Sequence, residues 1–452
     1  MPATSNDVIA RHDLIEQLID ARHRTDELFA VVKPEALYER PIPERHRIVF
    51  YIGHLEAFDW NLLHERVLGL ASFHPEFDRL FAFGIDPVGG GMPTDQPSDW
   101  PSLAAVRQYV DKIRNVLDER MSEALADSVP PTSEGFPLST LLEVAIEHRL
   151  MHAETLAYML HQLPLEKKIP QAEVLDLSSS SIAPHSIEIP AGAVTLGLSR
   201  TSGLFGWDNE FEAHAVDIPA FAIDQYKVTN RQYLDFMTAG GYETPGLWGD
   251  GTNAQDWKWI SDRKICHPAF WKRDGDRWMY RTMFEDIPLP LDWPVYVSHA
   301  EAKAFARWEG KRLPTEAEWQ RAAYGNMLVT ESTSPGGQAS SNFKPNFKLG
   351  NSDFARWSPV SVYASSEGQS PFGVHGMIGN GWEWTSTTFG PFPGFEPFPF
   401  YPGYSSDFFD GKHFVMKGGS ARTAACMLRP TFRNWFQAHY QYIYTGFRCV
   451  SR

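Results

Sequence analysis

Glu147-His148-Arg149-Leu150-Met151-His152-Ala153-Glu154 is the stretch from which the first half of the chain can be read. On a helix, residues four apart leave the same face one turn apart, so His148 and His152 are placed to hold one metal ion together. The flanks are helical in pattern. Leu141, Leu142, Ala145, Leu156, Met159 and Leu160 recur at helical spacing, and Pro137 and Pro164 bracket the run. H-x-x-x-H alone is a weak signal, because helix histidines commonly serve packing. Arg149 stands where a zinc protease would carry its glutamate base, so that chemistry is excluded.

Working outward, three more amphipathic helices are predicted: one over Ile9, Leu14, Leu18, Ile19 and Leu28, one over 48–68, and one over 103–125. Four long helices suggest an up-down bundle, which can carry a metal between facing helices. His54 on the second helix is the candidate third ligand, and three neutral imidazoles suit iron, zinc or copper. Glu154 and His64 are candidate outer partners. Between the second and third helices, the loop from Phe81 to Trp100 is rich in Gly and Pro and carries Asp86, Asp95 and Asp99 but no Arg or Lys.

Composition narrows the function classes. The chain has 452 residues, enough for two or three domains. A formal net charge of −15 argues against nucleic-acid or anionic-membrane partners. Three cysteines with no C-x-x-C exclude a disulfide framework or a cysteine-rich zinc site. No signal-peptide core or membrane-length apolar run is present, so a cytoplasmic location is expected. After Pro164 the composition turns Lys/Glu/Ser-rich, and 165–185 reads as a linker between a 1–164 bundle and a 186–452 domain. That second part has short β-type runs, many aromatics, and two predicted helices, 230–239 and 298–324. Ser298 and Glu301 form a capping-box pattern at the start of the latter.

The second part carries Ile187-Glu188-Ile189-Pro190-Ala191-Gly192, Val228-Thr229-Asn230, Arg312-Leu313-Pro314-Thr315-Glu316-Ala317-Glu318-Trp319, Gly379-Asn380-Gly381-Trp382-Glu383-Trp384, Lys417-Gly418-Gly419-Ser420 and Gly446-Phe447-Arg448, in this order. Together they resemble the formylglycine-generating-enzyme (sulfatase-modifying-factor) domain, an irregular C-type-lectin-like fold. The copper-binding cysteine pair of those enzymes has no counterpart here. The helical part resembles a DinB-type four-helix bundle. The expected fold is therefore α+β and multidomain. A bundle of this kind fused to such a domain resembles the ergothioneine sulfoxide synthases, ovothiol synthases and selenoneine synthases. The resemblance implies a non-heme iron(II) enzyme that uses O2 to join sulfur or selenium to the imidazole of trimethylhistidine (hercynine). Its facial three-histidine site maps onto His54, His148 and His152.

The resemblance also implies substrate contacts. Asn434, Trp435 and Phe436, with Arg433 before them, match the segment that holds the alkylated amine, and Trp435 and Phe436 offer cation–π faces. Met151 stands where the γ-glutamylcysteine-using enzymes have Gln. Phe392 stands where they have the tyrosine acid, which leaves the catalytic acid unknown; Tyr401, Tyr404 and Tyr442 are the possible substitutes. With no arginine in the loop to grip a donor carboxylate, a neutral selenosugar-type donor is expected, as in selenoneine synthases. The alternatives are an ergothioneine sulfoxide synthase using cysteine or γ-glutamylcysteine, and a non-catalytic metal- or sugar-binding module.

Overall fold

The computed structural model describes residues 5–82, 92–126, 136–175, 177, 183, 185–249, 254–325, 350–364 and 368–452. The chain divides into two compact units, with the boundary after Gln171. Among the described residues no helix is long and apolar enough to cross a membrane.

The first unit is built on α1 (Ser5–Ala30), α2 (Ile48–Leu63), the short α3 (Pro75–Leu80), α4 (Leu103–Ala126) and α5 (Leu138–Gln162). The apolar residues at helical spacing explain the packing. Leu18, Leu28, Leu55, Val106, Ile113, Leu117, Leu141, Leu156 and Met159 are all buried. Helix α1 packs on α5 and α4, and α2 on α4 and α5. Ile19 departs from the expected stripe and is 40% exposed. The second helix is also shorter than its apolar run suggests. His64 caps it, and its Nδ1 hydrogen-bonds the Leu70 carbonyl at 2.8 Å.

The second unit is a set of small sheets. β1 (Ser186–Ile189), β4 (Phe221–Asp224) and β12 (Val450–Ser451) form one, and β2 (Gly192–Leu196) pairs with β3 (His214–Ile218). β5 (Trp271–Asp274), β6 (Arg277–Arg281) and β7 (Asp286–Pro288) form a third. The fourth has the order β10-β9-β8-β11, from β8 (Trp382–Thr388), β9 (His413–Lys417), β10 (Asn434–Gln437) and β11 (Thr445–Gly446). Among the described residues, five helices accompany them: α6 (Asn230–Thr238), α7 (Gln255–Arg263), α8 (His299–Trp308), α9 (Glu316–Tyr324) and the one-turn α10 (Gly403–Ser406).

The predicted helix over 298–324 is thus two helices. Gly310, at φ 68°, turns the chain out of the first, and Thr315 caps the second with Glu318 in a capping box. Helix α7 lies outside the two predicted helices, because its Trp257 and Trp259 alternate like a strand. Described residues of the 165–185 stretch are bonded to the units on either side. Lys33 N–H donates to the Lys167 carbonyl at 3.0 Å in the first unit. Glu173 accepts from the Ser358 N–H at 2.8 Å and its hydroxyl at 3.0 Å in the second. The serine run 178–181 lies outside the described residues.

Ser298 caps α8 as its sequence indicates: its Oγ accepts from Glu301 N–H at 3.3 Å and donates to the Glu301 carboxylate at 2.6 Å. Ser298→Ala should therefore lower stability by about 1–2 kcal/mol. Equilibrium urea unfolding checks this, and an unchanged midpoint would show the cap to be dispensable.

Candidate metal centre

The histidine pair lies on α5 as the spacing requires, and α2 brings His54 to it. The three rings converge, with ligand-capable atoms all within 4.8 Å of one another. His54 Nε2 and His152 Nε2 stand 3.2 Å apart. All three residues are buried. Burial lowers the His54 pKa to about 4, and burial with neighbouring imidazoles and Arg149 holds His148 well below its ordinary value. Burial likewise pushes His152 down. The site therefore presents neutral imidazoles, the form a metal needs.

What surrounds the rings is consistent with that role. His54 Nδ1 donates to the Phe81 carbonyl at 2.7 Å, which leaves Nε2 with its lone pair facing His152. Phe58 stacks on His148 with ring centroids 3.4 Å apart, and Phe50 on His54 at 4.9 Å. Two unprotonated ring nitrogens at this separation repel unless a proton or a cation lies between them. An all-nitrogen donor set in an apolar shell fits iron(II), zinc or copper.

The carboxylates of α2 are committed elsewhere. Arg149, fully buried, donates to Asp59 at 2.6 Å and to Glu56 at 3.0 Å, and Arg114 reaches Glu56 at 2.7 Å. Burial pushes the Glu56 pKa up, but Arg149, Arg114 and Arg22 overcome it and bring it down to about 2. Neither carboxylate is available as a fourth ligand. His64 is bonded to the Leu70 carbonyl and stacked on Trp60, away from the trio's contacts. Met151 is half-buried and Glu154 buried on α5.

The other expected site residues are only partly brought together. On β10, alternate residues face opposite ways, so Asn434 and Phe436 share a face and Trp435 takes the other. Trp435 stacks on Phe389 at 4.1 Å with Tyr404 and Phe408 around it, so one of its faces is already covered. Phe436 stacks on Tyr440, which meets Tyr442 edge-on. Arg433 is tied into the fold: its guanidinium is buried, paired with Glu316 at 2.8 and 3.0 Å, and donates to the Asn209 and Gly390 carbonyls. Four of its five N–H groups are engaged there. Phe392 belongs to the apolar core and lies under that guanidinium. Tyr404 stacks on Trp207, and burial raises the Tyr401 pKa to about 12.

The donor-site expectation also needs correcting. Asp95 is not a bare repelling charge. Arg47 donates to it at 3.0 Å, Trp100 Nε1 at 2.7 Å, and Arg40 pairs with it as well. The two guanidiniums come from the segment ahead of α2, which a reading of the loop alone could not bring in. Asp99 caps the Gln96 N–H at 2.7 Å, and Asp86 lies outside the described residues.

Comparison with known proteins follows the same division. Residues 17–156 match the DinB superfamily, and 171–452 match the sulfatase-modifying factor enzyme 1-like domain. The chain is therefore a DinB-type bundle joined to a domain of the sulfatase-modifying-factor type. It is 33% identical to a hercynine oxygenase of Mycolicibacterium smegmatis over 98% of this chain and 99% of that one. A hercynine oxygenase of Mycolicibacterium thermoresistibile is 31% identical over 97% and 94%. Ergothioneine biosynthesis protein 1 of Neurospora crassa is 28% identical, over 92% of this chain and 55% of that one. The chain belongs to the hercynine oxygenase family.

The ion pairs behind the site carry a stability prediction. Arg149→Met would leave Asp59 buried without its partner, and removal of one member of a buried pair typically costs about 3–5 kcal/mol. Chemical denaturation of the metal-free chain should show a loss of that size. A loss under about 1 kcal/mol would mean that the network relaxes into solvent.

Proposed function

We propose that this chain is an iron(II)-dependent, O2-consuming enzyme that forms a carbon–sulfur bond on the imidazole of hercynine and releases the sulfoxide. The observation that carries the reading is the convergence of three buried neutral imidazoles in a chain that aligns end to end with hercynine oxygenases. His54, His148 and His152 would hold the iron and leave positions for small molecules. When bound, iron(II) would supply O2 activation and one-electron chemistry. The overall change balances: one imidazole C–H, one thiol and O2 become one C–S(O) linkage and water.

The chain's residues do the rest. Phe50 and Phe58 cover two of the imidazoles and limit water around them. Asn434 and Phe436, on one face of β10, are the candidates for the substrate's carboxylate and trimethylammonium groups. Trp435 is better explained as packing. No residue is assigned as the acid.

The donor we favour is a thiol with a carboxylate, cysteine or γ-glutamylcysteine, rather than a selenosugar. Two observations support it. The relatives are named hercynine oxygenase, matched over nearly their full length, and ergothioneine biosynthesis protein 1, matched over about half of its length, and Asp95 sits within a pair of arginines. These remove the main reason for expecting a neutral selenium donor.

Iron-loaded protein, hercynine, air and each donor should give the sulfoxide by mass spectrometry, with higher kcat/KM for a thiol than for a selenosugar. The reverse preference would restore the selenoneine reading. His152→Ala should lose both iron and product; stoichiometric iron with full turnover in that variant would rule out the ligand assignment. Asn434→Ala should raise KM for hercynine, whereas Trp435→Ala should act chiefly on stability.

A further inference from the structure

Two of the three imidazoles are carried by one helix and oriented by its regularity. His54 is alone on α2, and its orientation depends on the Phe81 carbonyl, which is not helical. Phe81 closes α3, a single short helix that could not hold its own position. Three side chains tie it down at Asp78, two of them through its carboxylate. Tyr109 on α4 donates its hydroxyl to Asp78 Oδ1 at 2.6 Å, and Ser72 donates to Asp78 Oδ2. Asn61 on α2 donates to the Asp78 carbonyl at 3.1 Å. The Phe81 ring is fully buried and lies over Gly53, one residue before His54. A Cβ at Gly53 would stand 2.5–2.6 Å from that ring. Only glycine lets the ring, and with it the carbonyl, come this close to α2.

We propose that Asp78, anchored by Tyr109, is a positioning residue for His54, and that Gly53 completes the device. Together they hold the Phe81 carbonyl on Nδ1, so that Nε2 is the atom turned to the metal. This rests on the reading of His54 as a metal ligand. The device has a physical reason. A carbonyl acceptor on one imidazole nitrogen fixes the tautomer, sets the ring's rotation and makes the other nitrogen more basic. Loss of such a partner typically weakens metal binding about 10–100-fold. Gly53 discriminates well, because glycine to alanine within a helix ordinarily stabilises it. Here the same change should displace a buried ring.

The test uses the full-length metal-free chain titrated with cobalt(II), read by competition with a chelator and by the visible ligand-field bands. His54→Ala serves as the reference for loss of the ligand. Asp78→Ala and Gly53→Ala should each weaken cobalt binding by roughly 10-fold or more and shift the bands. Tyr109→Phe should act in the same direction, and Asp78→Asn, which keeps an acceptor for Tyr109, should recover most of the affinity. The loss in the Gly53/Asp78 double variant should be less than the product of the single losses, since both act through one carbonyl. Leu117→Ala, a core change on α4, is the control. It should lower Tm but leave cobalt affinity and bands unchanged at temperatures where it is folded. Wild-type affinity and bands in Asp78→Ala and Gly53→Ala, alongside lost binding in His54→Ala, would overturn the proposal. Wild-type binding in His54→Ala would instead overturn the ligand reading beneath it.

Discussion

The bundle is organised by one buried cation. Arg149 is fully buried, and its guanidinium meets Asp59 and Glu56 of α2. A charge in that position is tolerated only when paired and hydrogen-bonded. Arg149 follows His148 by one residue, about 100° around α5. The two helices therefore face each other along two strips, one of imidazoles and one of ions. A slip of one turn, about 5.4 Å, between α2 and α5 would disturb the ion pairs and the approach of His54 to the α5 histidines alike. The two strips thus specify the same register. Arg114 extends it to α4, and its other bonds reach Asp26 on α1 at 2.7 and 2.8 Å.

The same logic explains why the motifs of the second unit have the residues they do. Glu383, in Gly-Asn-Gly-Trp-Glu-Trp, is fully buried and accepts from Lys227 at 2.7 Å, Arg448 at 2.7 and 2.9 Å, and Trp319 at 3.1 Å. Those partners come from just before Val228-Thr229-Asn230, from Gly-Phe-Arg and from the Arg-Leu-Pro-Thr-Glu-Ala-Glu-Trp motif. Burial alone would raise the Glu383 pKa, yet Arg448 and Lys227 bring it below the ordinary value. Lys417, of Lys-Gly-Gly-Ser, donates to the Pro430 and Phe432 carbonyls, both at 2.7 Å. Short strands bury too little to hold such a fold together. Ion clusters that draw distant segments to one point supply the missing specificity, and they appear in the sequence as short ordered motifs.

What was legible in the sequence is what is local. The i,i+4 histidines, the apolar spacing of four long helices and the capping box at Ser298 each depend on a few neighbouring residues. The motif order placed the second fold by resemblance. What was hidden depends on partners far along the chain. Nothing near Arg149 announces Asp59, ninety residues earlier. The Phe81 carbonyl carries no side-chain signature at all. Arg433 reads as a free cation in its own segment, and only the fold brings Glu316 to it.

Asp95 shows how such a long-range pairing changes a functional conclusion. Counted along its loop, it is one of three negative charges with no basic residue to offset them. Counted in space, it lies between Arg40 and Arg47, so its charge is offset. Trp100 connects this cluster to the imidazoles: its Nε1 bonds Asp95, and its ring packs against Phe50 and Phe81. In a chain of net charge −15, this cluster beside the candidate metal centre carries no excess of negative charge. Charges beyond about 8 Å are largely screened at physiological salt, so the distant acidic surface does little to repel an anion that reaches it. Under the proposed function, Asp95 would therefore not repel a carboxylated thiol, which is the objection that the loop sequence raises when read alone.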